Sequence, residues 1–349
     1  MHFKIRNVND GFKTLVEGIH LGTIQTNCVP SRYGEVIRIE EPVIVSYSHP
    51  SECVLLNQER DANCAFHLFE SLWMLAGRDD VAPLEYYNPK MKEFSDDGIR
   101  FHGAYGFRWR SRFGYDQLKE IMAELKVNPF SRRCVLQMWD AGATPSDLYV
   151  ATHGGKDVPC NVAAFFEVED EKFLNMTVLN RSNDLIWGLL GANAVHFVFL
   201  QMYVAGCLGL QVGQYHQVTN NLHCYTERWT PEKWLEEYRS PETSTATWYT
   251  DDATNMVPLV RDPETFDKEV LVFADKAWGQ SQEGADIFTE PFLKTVAWPM
   301  YRAFERHKHR DYRAAWLWLD AVAADDWREA GRYWIAKRQK NYEAKNAAK

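Results

Sequence analysis

Two short clusters hold the residues best placed to do chemistry. Asp157-Val158-Pro159-Cys160-Asn161 puts a thiol between a turn and an apolar run, and Asn180-Arg181-Ser182-Asn183-Asp184 follows the next such run. A lone cysteine ahead of a strand is often a small core hydrophobe. Beside a guanidinium in space, the same thiol has its thiolate stabilised and becomes a nucleophile. The residues alone leave both readings open. Ser131-Arg132-Arg133 lies between a proline-containing turn and an expected strand. Adjacent side chains on a strand point to opposite faces, so this pair cannot serve one local surface. It is either a solvated couple or part of an anion clamp. Glu70 is a carboxylate in the middle of an apolar helical run. A structural ion pair would explain it, and so would general acid–base work, since apolar surroundings hold a carboxyl proton to higher pH.

The elements that must position these groups are legible from period and turn chemistry. Residues 61–77 predict a helix between Asp61 as N-cap and Gly77 as C-cap, with Phe66, Phe69, Leu72, Trp73 and Leu75 apolar. Residues 116–126 predict a second, through Leu118, Ile121, Met122 and Leu125. Residues 133–139, 162–168 and 173–179 read as strands, the last two as a hairpin around Glu169-Asp170-Glu171-Lys172. Residues 192–210 are apolar over nearly a membrane span but contain His196 and Gln201 and have no companion, so a buried core helix is expected. From about residue 285 the chain is rich in Trp, Ala, Arg and Lys at helical spacing. The division expected is a catalytic domain over 1–284 and a helical extension over 285–349, its final run KRQKNYEAKNAAK a solvated end.

Composition bounds the function. The 349 residues are 46% hydrophobic and 25% charged with net charge -9, a globular balance with no basic face for bulk nucleic acid. A few focused arginines could still hold a phosphate. Seven scattered cysteines, none in a C-x-x-C pair, point to a reduced protein with neither a zinc site nor a disulfide framework. MHFKIRNVND carries no apolar signal segment. A cytoplasmic protein that does not enter the membrane is the expectation.

Together these segments resemble the thymidylate synthase family. The matching stretches are SRYGEV at 31–36, FHLFESLWMLAG at 66–77, GAYGFRWR at 103–110, NPFSRRCVLQMWD at 128–140, VPCN at 158–161, NRSND at 180–184 with G-x-x-G-A-N at 188–193, and NLHCY at 221–225. Each alone is weak; seven in order are specific, and they cover about residues 1–230. The resemblance implies an α/β (α+β) fold, a mixed sheet with flanking helices, dimeric through sheet faces, with a C-terminal helical appendage. It also implies a chemistry. A thiolate adds to C6 of a pyrimidine and makes C5 nucleophilic toward the methylene of 5,10-methylenetetrahydrofolate.

By the family pattern Cys160 is the nucleophile. Arg181 and Ser182 bind the nucleotide phosphate, with Arg181 also lowering the thiol pKa, and Arg32 closes over the same phosphate. Arg132 and Arg133 reach the partner subunit's phosphate, which implies a homodimer. Glu70 matches the proton-relay glutamate and Tyr105 the tyrosine that helps remove the C5 proton. His223 and Tyr225 match the pair on the sugar 3′-hydroxyl, Asn193 the reader of the base edge, and Asp184 the aspartate near the folate pterin. No metal is implied.

Departures refine the reading. Asn161 stands where typical synthases have histidine, and Arg181 to Asn193 is 12 positions, one more than usual. An asparagine at 193 favours dUMP, since relatives acting on dCMP carry aspartate there; dCMP stays open. Residues 86–97 lack the tryptophans that shield the exocyclic methylene intermediate, with Phe94 a partial substitute, and the apolar C-terminal tail is absent. If water rather than hydride reaches that intermediate, the product is 5-hydroxymethyl. The departures lean toward the hydroxymethylases that supply modified pyrimidines for viral DNA, ahead of dTMP synthesis. A non-catalytic nucleotide- or RNA-binding descendant would not need Cys160 and Glu70. A cysteine hydrolase would need His153 or His223 as base.

Overall fold

A computed structural model describes residues 1–32, 34–58, 60–226, 248–250, 254–279, 281 and 283–347. From the N-terminus the elements are β1 (His2–Ile5), α1 (Val8–His20), β2 (Thr26–Ser31), β3 (Gly34–Ile39) and β4 (Val43–Tyr47). Helices α2 (Cys64–Leu75), α3 (Val81–Tyr87), α4 (Met91–Phe94), α5 (Tyr105–Arg110) and α6 (Gln117–Val127) follow. Next come β5 (Val135–Gln137), α7 (Asp147–Thr152), β6 (Asn161–Glu169), β7 (Phe173–Asn180), β8 (Asn183–Asp184), a π-turn at Leu185–Leu189 and α8 (Ala192–Leu208). Strands β9 (Gln211–Thr219) and β10 (Leu222–Tyr225) precede the final helices, α9 (Pro263–Lys276), α10 (Trp298–Lys308), α11 (Tyr312–Asp320) and α12 (Asp325–Ala347).

Among the described residues the strands form two sheets, a six-stranded one in the order β1-β4-β9-β7-β6-β5 and a four-stranded one in the order β2-β3-β10-β8. The hairpin foreseen from the alternating pattern is β6–β7, antiparallel from Glu169↔Phe173 to Asn161↔Asn180. Parallel pairing of β7 with β9 needs a crossover, and α8 supplies it. The chain leaves the large sheet at Asn180, steps through Arg181 and Ser182, and enters the small sheet at Asn183. That step brings the two sheets together beside Cys160.

Helix α8 is apolar on every side and accordingly buried, with Phe197, Phe199, Leu200 and Val204 at most 1% exposed. Burying each such side chain contributes roughly 1.5–3 kcal/mol. Leu185–Leu208 is apolar and long enough to cross a bilayer, yet 78% of its most apolar window lies inside the protein. It is the core helix of the fold. Across the sheet the other face is open: Ile44, Val135 and Phe165 are 36%, 42% and 38% exposed.

Some boundaries differ from expectation. Asn63, not Asp61, caps α2, its side chain accepting from Phe66 N at 3.1 Å. Asp61, at φ 50°, turns instead to Arg338 and Lys337 of α12. Gly77 sits one residue beyond the C-cap Ala76 at φ 72°, a left-handed position that suits glycine. Strand β5 covers Val135–Gln137 only, so Arg132 and Arg133 precede it and the alternation argument does not apply to them. The segment beyond 285 is helical and lies against α2 and α3. Tyr87 stacks on Phe304 at 4.7 Å, and Trp327 meets Phe199 edge-on at 5.9 Å. Residues 348–349 of the expected solvated end lie outside the described residues.

Candidate active site

Cys160 ends the loop that leads into β6, and its carbonyl accepts from Arg181 N at 2.9 Å, which locks the two residues side by side. The Arg181 side chain folds back over the loop. Its Nε donates to Pro159 O at 2.9 Å, and its Nη2 donates to Val158 O at 3.1 Å and lies 3.7 Å from the Cys160 sulfur. Beneath them the Tyr105 hydroxyl oxygen accepts from the amides of Cys160 at 2.9 Å and Asn161 at 3.1 Å. Its own proton is left to donate. Tyr105 opens α5, which approaches the backbone of α2 so closely that a Cβ at Gly106 would strike Met74. The glycine of the G-A-Y-G run is therefore steric. Burial, reinforced by Asp157, pushes the Cys160 thiol up, while Arg181 and Arg32 pull it down. The net direction is upward. Arg181 is the largest influence that favours the thiolate, and burial outweighs it.

The small sheet lines the opposite side. Asp184 on β8 and His223 on β10 are register partners. Oδ1 of Asp184 caps the π-turn by accepting from Ile186 N at 2.8 Å and Trp187 N at 2.5 Å. Oδ2 is buried without a partner among the described residues. Burial pushes the Asp184 carboxyl up and His223 down. His223 Nδ1 lies 3.2 Å from Asn221 Oδ1, which leaves Nε2 for a ligand, and its ring meets Tyr225 edge-on at 5.3 Å. Arg32, in the β2–β3 turn, reaches the Cys160 loop and donates to Gly155 O and Lys156 O, each at 3.3 Å.

Asn193 lies in the first turn of α8. The π-turn at Leu185–Leu189 lies between Arg181 and Asn193. Asn193 Nδ2 donates to Asn183 Oδ1 at 2.9 Å, Asn183 Nδ2 donates to Gln217 Oε1 at 3.0 Å, and Gln217 Nε2 donates to Tyr47 Oη at 3.0 Å. This chain of amides orients Asn193 through Asn183 and Gln217. A Cβ at Gly188 would land on Asn183 Oδ1, so glycine makes room for the chain.

Glu70, on α2, has a side chain 14% exposed, and its Oε2 lies 3.1 Å from His196 Nε2 on α8. Ser182 is half-buried between Arg181 and β8. Arg132 and Arg133 are exposed, and Arg133 pairs with Glu124 at 3.1 Å. The antiparallel register sets Val135 opposite Phe165, four residues along β6 from Asn161, so both arginines lie well away from Cys160 of the same chain. Phe94 is 51% exposed. His153 stacks on Tyr149 at 3.8 Å, and among the described residues the side chain shown at the Cys160 sulfur is Arg181 rather than a histidine base.

Several neighbours of the site, some within the clusters already named, make contacts that residue types alone did not foretell. Asn161 is fully buried and donates to Asn180 across the hairpin; its own Oδ1 has no partner among the described residues. Asp157 Oδ2 accepts from Gly103 N at 2.8 Å. Buried Arg60 lies 4.3 Å from the Trp187 ring centroid and donates to Ile186 O at 3.2 Å. His196 stood out only as a polar break in an apolar run, although its place one turn after Asn193 was visible.

Comparison with known proteins places the chain in a family. A family model described as thymidylate synthase matches residues 46–254. A deoxyuridylate hydroxymethyltransferase of Pseudomonas phage M6 is 43% identical over 99% of this chain and 96% of its own. One of Bacillus phage SP01 is 36% identical over 56% of this chain and 52% of its own. A thymidylate synthase of Streptococcus gordonii is 30% identical over 45% of this chain and 54% of its own. The order of the motifs, the thiol beside its arginine at the meeting of two sheets, and a family match over more than half the sequence show that this chain belongs to the thymidylate synthase family.

Proposed function

We propose that the protein transfers the one-carbon unit of 5,10-methylenetetrahydrofolate to C5 of deoxyuridylate through a covalent adduct at Cys160, with water completing the reaction to a 5-hydroxymethyl product. The observation that carries the chemistry is the Cys160 sulfur 3.7 Å from Arg181, above a tyrosine hydroxyl that holds the cysteine backbone. The choice of hydroxymethyl over methyl is supported by the nearly full-length similarity to the phage M6 hydroxymethyltransferase.

In this reading Arg32, Arg181 and Ser182 bind the phosphate, and Arg132 and Arg133 reach it from a second subunit of a homodimer. His223 and Tyr225 hold the sugar. Asn193, held by Asn183, presents its free atoms to a uracil edge, accepting from N3–H and donating to O4. The thiolate adds to C6, and the electron pair displaced makes C5 the nucleophile. Tyr105 and Glu70 move the protons that this creates and removes. The buried Oδ2 of Asp184, without a partner among the described residues, fits a ligand rich in N–H donors, as a pterin is. Bound folate supplies a carbon at the oxidation level of formaldehyde. Action in a host cytoplasm accords with the phage relatives.

The test is product mass spectrometry with 5,10-methylenetetrahydrofolate and either dUMP or dCMP, while absorbance follows dihydrofolate. A hydroxymethyl gain on dUMP with tetrahydrofolate retained is expected. A methyl gain with dihydrofolate formed would make the protein a thymidylate synthase, and turnover of dCMP alone would overturn the base assignment.

A further inference from the structure

Helices α2 and α8 cross where Glu70 faces His196. The imidazole is 6% exposed, and its Nε2 is 3.1 Å from Glu70 Oε2. At that distance an aligned N–H would form a charge-assisted hydrogen bond. It is not aligned: His196 Nε2 has no hydrogen-bond partner among the described residues. Two complementary groups thus touch in a poorly solvated place with their bond unformed. Catalytic hydrogen bonds are often misaligned in ligand-free enzymes and tighten in the substrate complex.

The surroundings restrict what His196 can do. His67, three residues before Glu70 on α2, turns toward it with ring centroids 6.2 Å apart at 89°. Burial, with His196 and Arg60 adding to it, drives His67 well below the usual histidine range, so it stays neutral. Among the described residues, the titratable and charged groups shown beside the pair are His67 from α2, against His196, and Arg60 from the loop ahead of α2, acting on His67. Asn193 is three residues before His196, so the two share a face of α8. One helical turn carries both the amide assigned to the base and the imidazole that meets the acid.

From this juxtaposition we infer that His196 is a positioning residue for Glu70, its Nε2–H aligning on Oε2 when a base docks at Asn193 and leaving Oε1 to take up and return the proton. The inference rests on the one-carbon transfer reading and deepens it. It differs from a structural role in what it does to the pH profile. A donor to a carboxylate favours the charged form, so its loss moves the acid limb of kcat to higher pH.

The experiment compares wild type, His196→Ala and His196→Gln with dUMP and 5,10-methylenetetrahydrofolate, recording kcat and nucleotide KM across pH, and melting temperature. For His196→Ala, kcat falls about 10–100-fold, and the acid limb moves up by about one pH unit. Nucleotide KM should stay within about threefold. His196→Gln, which keeps a side-chain donor, should recover most of both losses. A kcat that falls with the acid limb unmoved, or an alanine variant within threefold of wild type, overturns the inference. Wild-type protein that turns over neither dUMP nor dCMP overturns the parent reading, and this one with it.

Discussion

At the scale of single residues, the thiol is the point of tension. In the role proposed for it Cys160 must be a thiolate to attack, yet burial holds its proton on more firmly than in an ordinary cysteine. Arg181 and Arg32 oppose that effect without reversing it. Alkylation of half-buried Cys160 by iodoacetamide, read by mass spectrometry at its own peptide because Cys28 is exposed and would react too, should therefore keep rising past pH 9. Removing a cation that lowers the thiol must raise it further, so Arg181→Ala should displace the curve to higher pH. A curve that levels off below pH 8, or one identical in the variant, would contradict this balance.

At the scale of elements, the π-turn and the start of α12 each make a separate demand. Gly188 sits where any side chain would strike Asn183 and break its bond to Asn193. Gly188→Ala should raise the nucleotide KM about tenfold, the worth of one hydrogen bond, in steady-state kinetics; an unchanged KM would detach Asn193 from base recognition. Asp326, at the N-terminal end of α12, is 2% exposed and accepts from Tyr249 Oη at 3.2 Å. Burial raises its carboxyl from 3.8 to about 6. The folded state therefore holds this proton more tightly than the unfolded chain does. The stability it contributes is present below the unfolded value and is lost as pH rises through about 6. Asp326→Asn should be more stable than wild type at pH 7.5, by about 1–2 kcal/mol beyond any difference at pH 5. Thermal unfolding at the two pH values checks this, and an equal gap at both would refute it.

At the scale of the whole molecule, the large sheet leaves Ile44, Val135 and Phe165 on an open face, while Arg132 and Arg133 lie far from their own Cys160. A homodimer through that face would bury the apolar residues and give the arginines a phosphate to meet. If each site is shared, two dead variants can rescue each other. Mixing Cys160→Ser with Arg132→Ala/Arg133→Ala under conditions that let subunits exchange should restore up to about a quarter of wild-type activity. Half the dimers would be mixed, each with one intact site. No recovery, with exchange verified by light scattering and mass spectrometry, would return the arginines to the surface.

The sequence by itself determined the features that depend on near neighbours. The hairpin over β6 and β7 follows from alternation around a polar turn, and α8 from an apolar run too long for a strand. The order of the motifs around Cys160, Arg181 and Asn193 was enough to name the family and its chemistry. Cap choice at Asn63, the short β5 and the small sheet carrying Asp184 and His223 were decided by tertiary structure. Asp61, for instance, forgoes the capping role because α12 offers it Arg338 and Lys337. The state of Cys160 and the meeting of Glu70 with His196 were hidden for the same reason. Burial and charge are sums over everything nearby in space, and residues 70 and 196 become neighbours only when α2 crosses α8.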